Sequence, residues 1–216
     1  MSRQYPRLIM QLYNPFTPRW LDRSIFDFLE ALPAEAQVLN VGSGNTNLGT
    51  NVINLDIKPS PNVSVVADAH RLPFRDGSFD CVFCSAVLEH VPYPNVVAKE
   101  IIRVLKPGGT ACIQSPFLEA IHDEHDYFRF TLKGLKVLFP ELKEVKSGVS
   151  GGPSQVLADI LRVYPILIFE GTFIDLPMRF VMSWLARPFQ WLDFLIKRKP
   201  SMPLYARAFY FIGRKG

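Results

Sequence analysis

The fold of this chain is decided by the stretch Val38-Leu39-Asn40-Val41-Gly42-Ser43-Gly44-Asn45-Thr46-Asn47. A short apolar run ends here in a turn with two glycines, which is typical of a buried parallel strand that leads into a nucleotide-binding loop. Gly42 and Gly44 lack a Cβ, so the backbone can turn tightly and come close to a ligand. Two closely spaced glycines are a weak signal alone, and the residues that follow must identify the ligand.

An acidic residue stands at the end of the next apolar run. Residues 51–55 predict a second strand, and Asp56 follows it directly. A carboxylate at this point of a βαβ unit can accept hydrogen bonds from two ribose hydroxyls. Asp56 lies 14 residues after Gly42, whereas dinucleotide sites place this acid about 20 residues on and carry a third loop glycine. The spacing argues against NAD.

Strands and helices alternate along the following residues. Further strands are predicted at 63–67, 81–85 and 110–114, and Pro94 begins a helix that ends before the turn at 106–109. This alternation predicts a Rossmann-like, doubly wound α/β fold with a mainly parallel sheet. In such a fold the ligand binds at the carboxyl ends of the strands.

Five ordered segments resemble class I S-adenosylmethionine-dependent methyltransferases with a type-11-like domain. They are VLNVGSG at 38–44, NLDI at 54–57, ADAHRLPFRDGSFDCV at 67–82, LEHV at 88–91 and RVLKPGG at 103–109. The resemblance covers roughly residues 36–135. It implies a seven-stranded sheet whose last strand is antiparallel, and S-adenosylmethionine as the cofactor.

The resemblance implies a role for each matched residue. Gly42 and Gly44 would approach the methionine part of the cofactor, and Asp56 would hold the ribose hydroxyls. Asp68 and the backbone of Ala69 would meet the adenine edge. Two more residues near the end of the fourth strand would lie beneath the sulfonium, namely Ser85 and Leu88.

Two positions depart from the family pattern. Asn40 stands where the family usually has Asp or Glu, an acid that helps to place the ammonium group of the cofactor. Thr46 stands at the place of the third loop glycine. These departures motivate a second hypothesis, in which the chain is a non-catalytic, methyltransferase-like binding or assembly protein with weakened cofactor affinity.

Histidines follow the fifth strand in the segment 116–131, PFLEAIHDEHDYFRFT. In related methyltransferases the loop at this place closes over the active site. A hydroxyl or phenol acceptor must lose a proton, and histidine is the side chain that titrates near neutral pH. The candidate catalytic bases are His122, His125 and, third, His90. Tyr127 and Arg129 are expected to shape the substrate pocket or to meet an anionic group of the substrate.

Metal, redox and nucleic-acid chemistry are not expected. Residues 122–126 combine imidazoles and carboxylates, but five consecutive polar residues in a loop cannot all point inward. Cys81 and Cys84 lie inside an apolar run, and no second Cys/His pair accompanies them at ligand spacing. No Asn-Pro-Pro-Tyr type motif follows the fourth strand, and the core has no basic stripe with interleaved aromatics. We predict that the methyl acceptor is a small molecule, a lipid-like molecule or a glycan-linked group, and that it is methylated at oxygen.

We expect a single domain over residues 1–216, with an N-terminal arm at 1–16, a cofactor-binding core at 36–135 and an apolar helical insert at 153–203. The insert has three interpretations. It is a helical lid on the core, or the pocket for an apolar acceptor, or a membrane-binding segment through residues 172–199.

Charge placement bears on the membrane interpretation. From Leu161 onward the chain has nine Lys/Arg against three Asp/Glu, and Lys197-Arg198-Lys199 would lie near anionic headgroups. No uncharged apolar run reaches the roughly 18 residues that a membrane-spanning helix needs, and no cleavable signal pattern is present. The sequence therefore predicts a cytoplasmic protein, with peripheral membrane association as the alternative.

Overall fold

The computed structural model describes residues 23–46, 48, 51–121 and 123–216. The first described helix is α1 (Arg23–Glu30), and the predicted N-terminal arm lies outside the described residues. One compact unit comprises residues 24–150 and 208–216, and the other includes residues 151–207.

The larger unit is built on seven strands. They are β1 (Val38–Val41), β2 (Val52–Asp56), β3 (Val65–Val66), β4 (Phe79–Ser85), β5 (Leu105–Pro116), β6 (Leu142–Gly151) and β7 (Ala208–Lys215). Their order in the sheet is β3-β2-β1-β4-β5-β7-β6. Strands β3, β2, β1, β4 and β5 pair in parallel, and β7 pairs antiparallel with β5. The predicted Rossmann-like sheet with an antiparallel last strand is confirmed.

Helices cover both faces of this sheet. Helix α2 (Pro94–Val104) begins with a proline, and α3 (Leu132–Leu138) is capped by the side chain of Thr131. Successive residues of a strand point to opposite faces. On β7, Ile212 joins a buried cluster with Ile25 of α1, whereas the ring of Phe211 lies 6.3 Å from that of Phe139, after α3. Helices α1 and α3 therefore lie on opposite faces.

The fifth strand is longer than predicted. It begins at Leu105, directly after α2, and not at Thr110. The register pairs Phe79 with Leu105 and Cys81 with Thr110, so the residues between Leu105 and Thr110 bulge out of the sheet. The proline and glycines of this segment shape a bulge within the strand, where the sequence suggested a turn before it.

Asp80 ties this bulge to the first strand. Its Oδ2 accepts hydrogen bonds from the backbone nitrogen of Gln37 at 2.9 Å and from Nζ of Lys106 at 2.8 Å. The hydrogen bond from Lys106 is the main reason that the pKa of Asp80 lies below its ordinary value. The carboxylate thereby fixes the start of β1 against the bulge beside β4.

The smaller unit is helical. Its helices are α4 (Pro153–Phe169), α5 (Asp175–Leu185) and α6 (Asp193–Ile196), with 3-10 turns at Arg187–Leu192 and Met202–Tyr205. Asp193 is buried, and its Oδ1 accepts a hydrogen bond from the backbone nitrogen of Ser154 at 2.9 Å, in the first turn of α4. None of the described helices is long and apolar enough to cross a membrane.

Candidate active site

A cleft of about 700 Å³ opens at the carboxyl ends of β1, β2 and β4. Its walls come from the loop after β1, the end of β2, the segment after β3, the turn after β4 and residues 123–127. This is the location that a doubly wound sheet provides for its ligand, and the volume is typical of small-molecule sites.

Hydrogen bonds with Asp56, at the end of β2, and with Ser60 hold the loop after β1 in place. Gly42 and Gly44 have φ of +68° and +50°, values that favour glycine. The backbone nitrogen of Gly44 donates to Oδ2 of Asp56 at 2.8 Å, and its carbonyl oxygen accepts from the hydroxyl of Ser60 at 2.8 Å. Oδ1 of Asp56 accepts from the backbone nitrogen of Lys58 at 2.9 Å. The carboxylate is thus fixed from both sides, and each oxygen retains a second lone pair.

Asp68 lies on the same cleft and is organised by His70. Its Oδ1 accepts from the backbone nitrogen of His70 at 2.9 Å and lies 2.6 Å from Nδ1 of the ring. The backbone hydrogen bond is the main cause that lowers the pKa of Asp68. Ala69 also lines the cleft. Sequence reasoning missed His70 and Lys58, although a residue two positions after a strand-end Asp is a frequent partner of its carboxylate.

Three predicted cofactor residues are not among the described residues that line the cleft. Asn40 is buried, and its Nδ2 donates to Oδ1 of Asn54 on the neighbouring strand at 3.0 Å. The hydroxyl of Ser85 donates to Oε1 of Gln114 at 3.3 Å, and Leu88 is fully buried. Their contacts with a cofactor stay predictions.

The turn after β4 has an uncommon backbone. Ala86 has a φ of 55°, in the left-handed region that residues other than glycine rarely adopt. Its backbone nitrogen donates to the carbonyl oxygen of Gln114 at 3.0 Å. Ala86 and the next residue, Val87, both line the cleft. Such backbone conformations persist where the surrounding structure fixes them, and they cluster at ligand sites.

Two of the predicted bases line the cleft, and the third lies outside the described residues. Nδ1 of His90 is 2.9 Å from the carbonyl oxygen of His125. Because a carbonyl oxygen only accepts, Nδ1 carries the proton, and a neutral ring then holds its lone pair at Nε2. The His125 ring is largely exposed and packs edge-on against Tyr127, with 6.3 Å between centroids. His122 is the residue that the structure does not describe.

Arg129 supports the loop of residues 119–128. Its guanidinium forms a bidentate pair with Asp126, with 2.7 Å between Nη2 and Oδ2. It also donates to the carbonyl oxygens of Glu119 and Ala120, each at 3.1 Å. Arg129 is not among the described residues that line the cleft, so its expected contact with a substrate stays a prediction.

The cysteine thiols are buried, and the described residues contain no candidate metal site. Burial raises the pKa of the Cys84 thiol, and a hydrogen bond with Cys81 raises that of Cys112. All three thiols are buried, and the raised pKa favours the protonated form of Cys84 and Cys112, which is a poor nucleophile and metal ligand. Within the described residues, no group of three His, Cys, Asp or Glu side chains could hold a metal ion.

Comparison with known proteins identifies the family. Residues 39–113 match the family model described as a methyltransferase domain. A demethylmenaquinone methyltransferase of Renibacterium salmoninarum is 30% identical over 168 residues, which cover 69% of this chain and 68% of the relative. The chain belongs to the class I S-adenosylmethionine-dependent methyltransferases. The predicted family and its cofactor are thereby confirmed.

Two further proteins are similar over part of their length. A 2-methyl-6-phytyl-1,4-hydroquinone methyltransferase of Synechocystis is 37% identical over 102 residues, 38% of this chain and 32% of the relative. The chain therefore spans about a third of that methyltransferase. A phosphoethanolamine N-methyltransferase 2 of Haemonchus contortus, solved with S-adenosyl-L-methionine, superimposes with a TM-score of 0.57 at 15% identity. That superposition covers 99% of this chain and 58% of the other, and it shows the fold.

The methyltransferase cleft fits S-adenosylmethionine. A Cβ on Gly42 would lie 2.2 Å from Cγ2 of Val87, so only glycine lets the loop after β1 approach the turn after β4 this closely. Asp56 would accept hydrogen bonds from the ribose hydroxyls, and Asp68, whose side chain is 56% exposed, would accept from the adenine amino group. When bound, this cofactor supplies an electrophilic methyl group on sulfur.

The contact between Gly42 and Val87 generates a test. Gly42→Ala should lower the free energy of unfolding by at least about 2 kcal/mol, because it adds left-handed backbone strain and a steric clash. Gly171→Ala is the matched control, since Gly171 has a φ of +79° and open space at its Cβ, and it should cost only about 1 kcal/mol. The double variant Gly42→Ala/Val87→Ala should recover part of the loss. Urea unfolding measures all three, and equal losses at Gly42 and Gly171 would contradict the clash.

Glu89 holds the methyltransferase loop from a buried position. Its carbonyl oxygen accepts from the backbone nitrogens of Tyr127 at 2.7 Å and Phe128 at 3.3 Å. Oε2 of its side chain accepts from the hydroxyl of Ser115 at 3.2 Å, and Oε1 has no hydrogen-bond partner among the described residues. Burial raises the pKa of Glu89 above its ordinary value. The fold therefore favours the protonated carboxyl.

Unfolding experiments at a series of pH values test the raised pKa of Glu89. Because the folded-state pKa of Glu89 lies above its unfolded value, near 4.5, the contribution of this residue to wild-type stability should fall as pH rises above about 4.5. Glu89→Gln cannot ionise, so its free energy of unfolding relative to the wild type should increase from pH 4.5 toward neutrality. Urea unfolding at several pH values measures this difference. Glu141→Gln, at an exposed position, is the control and should show no such trend. A flat difference for Glu89→Gln would contradict the raised pKa.

Proposed function

We propose that this methyltransferase transfers a methyl group to a phenolic or hydroquinone-like acceptor with an apolar, lipid-like tail. The observation that carries the proposal is the presence of His90, His125 and Tyr127 on the cleft that also contains Asp56 and Asp68. The two relatives support the acceptor class, since one is named for a demethylated menaquinone and the other for a phytyl hydroquinone.

The chemistry needs an activated acceptor more than an activated donor. Methyl transfer from a sulfonium is an in-line displacement, to which the protein contributes proximity and orientation. A phenol becomes a good nucleophile when its proton is removed, and His90 or His125 would take that proton. The sequence favours oxygen as the methylated atom. Ring carbon is the second candidate, because curated relatives from Pseudomonas aeruginosa are named as C-methyltransferases.

The chain is further proposed to act as one methyltransferase domain, in which residues 153–203 are a helical insert. We propose that this insert contacts a membrane surface through residues 172–199. An acceptor with an apolar tail resides in lipid, so an enzyme that meets it there gains access without extracting it into water.

Cofactor binding is the first measurement. The wild type should bind S-adenosylmethionine and S-adenosylhomocysteine in calorimetric titration, whereas Asp56→Ala and Asp68→Ala should each raise the Kd about tenfold or more, since a charge-assisted hydrogen bond is lost. Glu141→Ala removes an exposed acid elsewhere and should leave the Kd unchanged. No binding of either ligand by the wild type would contradict the enzymatic proposal and favour the non-catalytic alternative.

Turnover is the second measurement. If His90 or His125 is the base, the alanine variant of that residue should lower kcat about 100-fold or more. The Kd for S-adenosylmethionine should stay near the wild-type value in both variants. Glu124→Gln changes an exposed neighbour in the same loop and serves as the control. His122→Ala belongs in the series because sequence reasoning ranks it with His125. Unchanged turnover in all three histidine variants would contradict a histidine base.

The products decide the acceptor atom. Prenylated hydroquinones are incubated with the protein and methyl-labelled cofactor, and the labelled product is analysed by mass spectrometry and NMR. A methoxy signal indicates transfer to oxygen, and an aryl methyl signal indicates transfer to carbon. Absence of label in every hydroquinone, with turnover on a non-phenolic lipid, would contradict the proposed acceptor class.

A further inference from the structure

The helical unit exposes its large apolar side chains and buries small or polar ones. On α4 the exposed apolar side chains recur at helical spacing and form one stripe: Leu157, Ile160, Tyr164, Leu167 and Ile168. The buried positions of the same helix are Ser154, Gln155 and Ala158. A helix of a water-soluble protein has the opposite arrangement, with its apolar stripe toward the core.

Helix α5 repeats this inversion. Its exposed apolar face consists of Phe180, Val181, Trp184 and Leu185. The buried positions are Ser183 and, just after the helix, Ala186. Two neighbouring helices of this unit therefore present apolar faces outward, with small residues in the interior.

The exposed apolar surface is concentrated in this unit. Of the 27 large apolar residues that are exposed in the described chain, 17 lie between residues 157 and 205. Phe173 and Leu195 are 91% and 70% exposed. Monomeric soluble proteins rarely expose contiguous apolar patches larger than a few hundred Å², and larger ones mark interaction surfaces. Such a surface is suited to a partner that accepts apolar side chains.

Charge on the same unit indicates which partner this is. Three consecutive basic residues, Lys197-Arg198-Lys199, are exposed and follow the exposed Phe194-Leu195 pair. Nζ of Lys197 lies 4.4 Å from the ring centroid of Phe194, and the guanidinium of Arg187 lies 4.8 Å from that of Trp184. Cations are thus placed directly beside exposed aromatic rings, an arrangement suited to the boundary between headgroups and acyl chains.

Most acidic residues of the unit are paired or buried. Asp175 is engaged by Arg179, with 2.6 Å between Oδ1 and Nε. Oδ1 of Asp159 lies 3.0 Å from Nη2 of Arg162, and Asp193 is fully buried. Glu170 is the one exposed acidic residue among the described residues 151–207, against the three exposed basic residues of the cluster, so the net outward-facing charge is basic. A second copy that met this surface with its own equivalent surface would bring the same basic cluster, whereas a membrane with anionic lipids complements both features.

We propose that the helical unit docks on an anionic lipid bilayer. The apolar faces of α4 and α5 enter the interface, and Lys197-Arg198-Lys199 lies among the headgroups. This inference rests on the membrane contact proposed above and extends it in two respects: α4 takes part, and the lipid is anionic. An apolar surface and a basic cluster together give the two signals that stable peripheral binding requires.

Vesicle sedimentation of the full chain tests the basic part. The wild type should bind vesicles of equal parts phosphatidylcholine and phosphatidylglycerol more tightly than phosphatidylcholine alone, and added salt should weaken this binding. The variant K197Q/R198Q/K199Q should reduce the partition coefficient on the order of 100-fold, from about fivefold per basic residue. The control K133Q/K143Q/K146Q removes the same charge from exposed positions of the sheet unit and should bind like the wild type.

A matched pair of double variants tests the apolar part of the docking surface. Ile160→Ser/Leu167→Ser should reduce the partition coefficient by about 100-fold or more, because two apolar side chains no longer enter the interface. Val137→Ser/Val145→Ser changes two exposed residues of the sheet unit and should have no effect. Both substitutions replace exposed side chains, so the fold should persist, and an unchanged Kd for S-adenosylmethionine verifies it.

The outcomes distinguish a failure of the membrane-docking proposal from a failure of the proposed methyltransferase function. Vesicle binding is measured without cofactor, and cofactor binding is measured without vesicles, so either can fail alone. Three results would overturn the docking proposal. One is no binding of the wild type to phosphatidylglycerol vesicles, and another is wild-type binding by the basic triple variant. The third is a stable dimer in sedimentation velocity that Ile160→Ser/Leu167→Ser dissociates, which would assign the surface to a second copy.

Discussion

The hydrogen bond between the backbone nitrogen of Gly44 and the carboxylate of Asp56 joins the two parts on which the site depends. It holds the loop after β1 against the end of β2, at the edge where the parallel strands finish. Both partners are residues that the cofactor would also contact. One carboxylate thus shapes the loop and would present acceptors to the ribose from a position that is set before a ligand arrives.

Much of the sheet unit could be predicted because its signals are local. Buried parallel strands are short apolar runs, and the acids that follow them, Asp56 and Asp68, lie at the carboxyl edge by topology alone. The bulge after Leu105 could not be predicted, since proline and glycine signal a turn without indicating whether a strand continues around it. The pairing of Asn40 with Asn54 depends on strand register, which no local pattern reveals.

Side-chain roles in the loop were harder to predict than its position. A histidine- and arginine-rich segment after the fifth strand suggested catalytic and substrate-binding groups, and His125 and Tyr127 do line the cleft. Arg129 instead binds Asp126 and two carbonyl oxygens of its own loop. In the helical unit, the sequence indicated an apolar helical segment at 153–203. It could not show which side of each helix faces outward, because the covered side of a helix is decided by tertiary packing.

The hydrogen bond between His90 and the carbonyl oxygen of His125 couples the position of the loop to the tautomer of His90. While the loop stays in place, it dictates which imidazole nitrogen bears hydrogen and which one is basic. If the loop moved away, this hydrogen bond would be lost and the two tautomers of His90 could exchange. The position of the loop therefore decides which nitrogen of a neutral His90 ring is available to accept a proton.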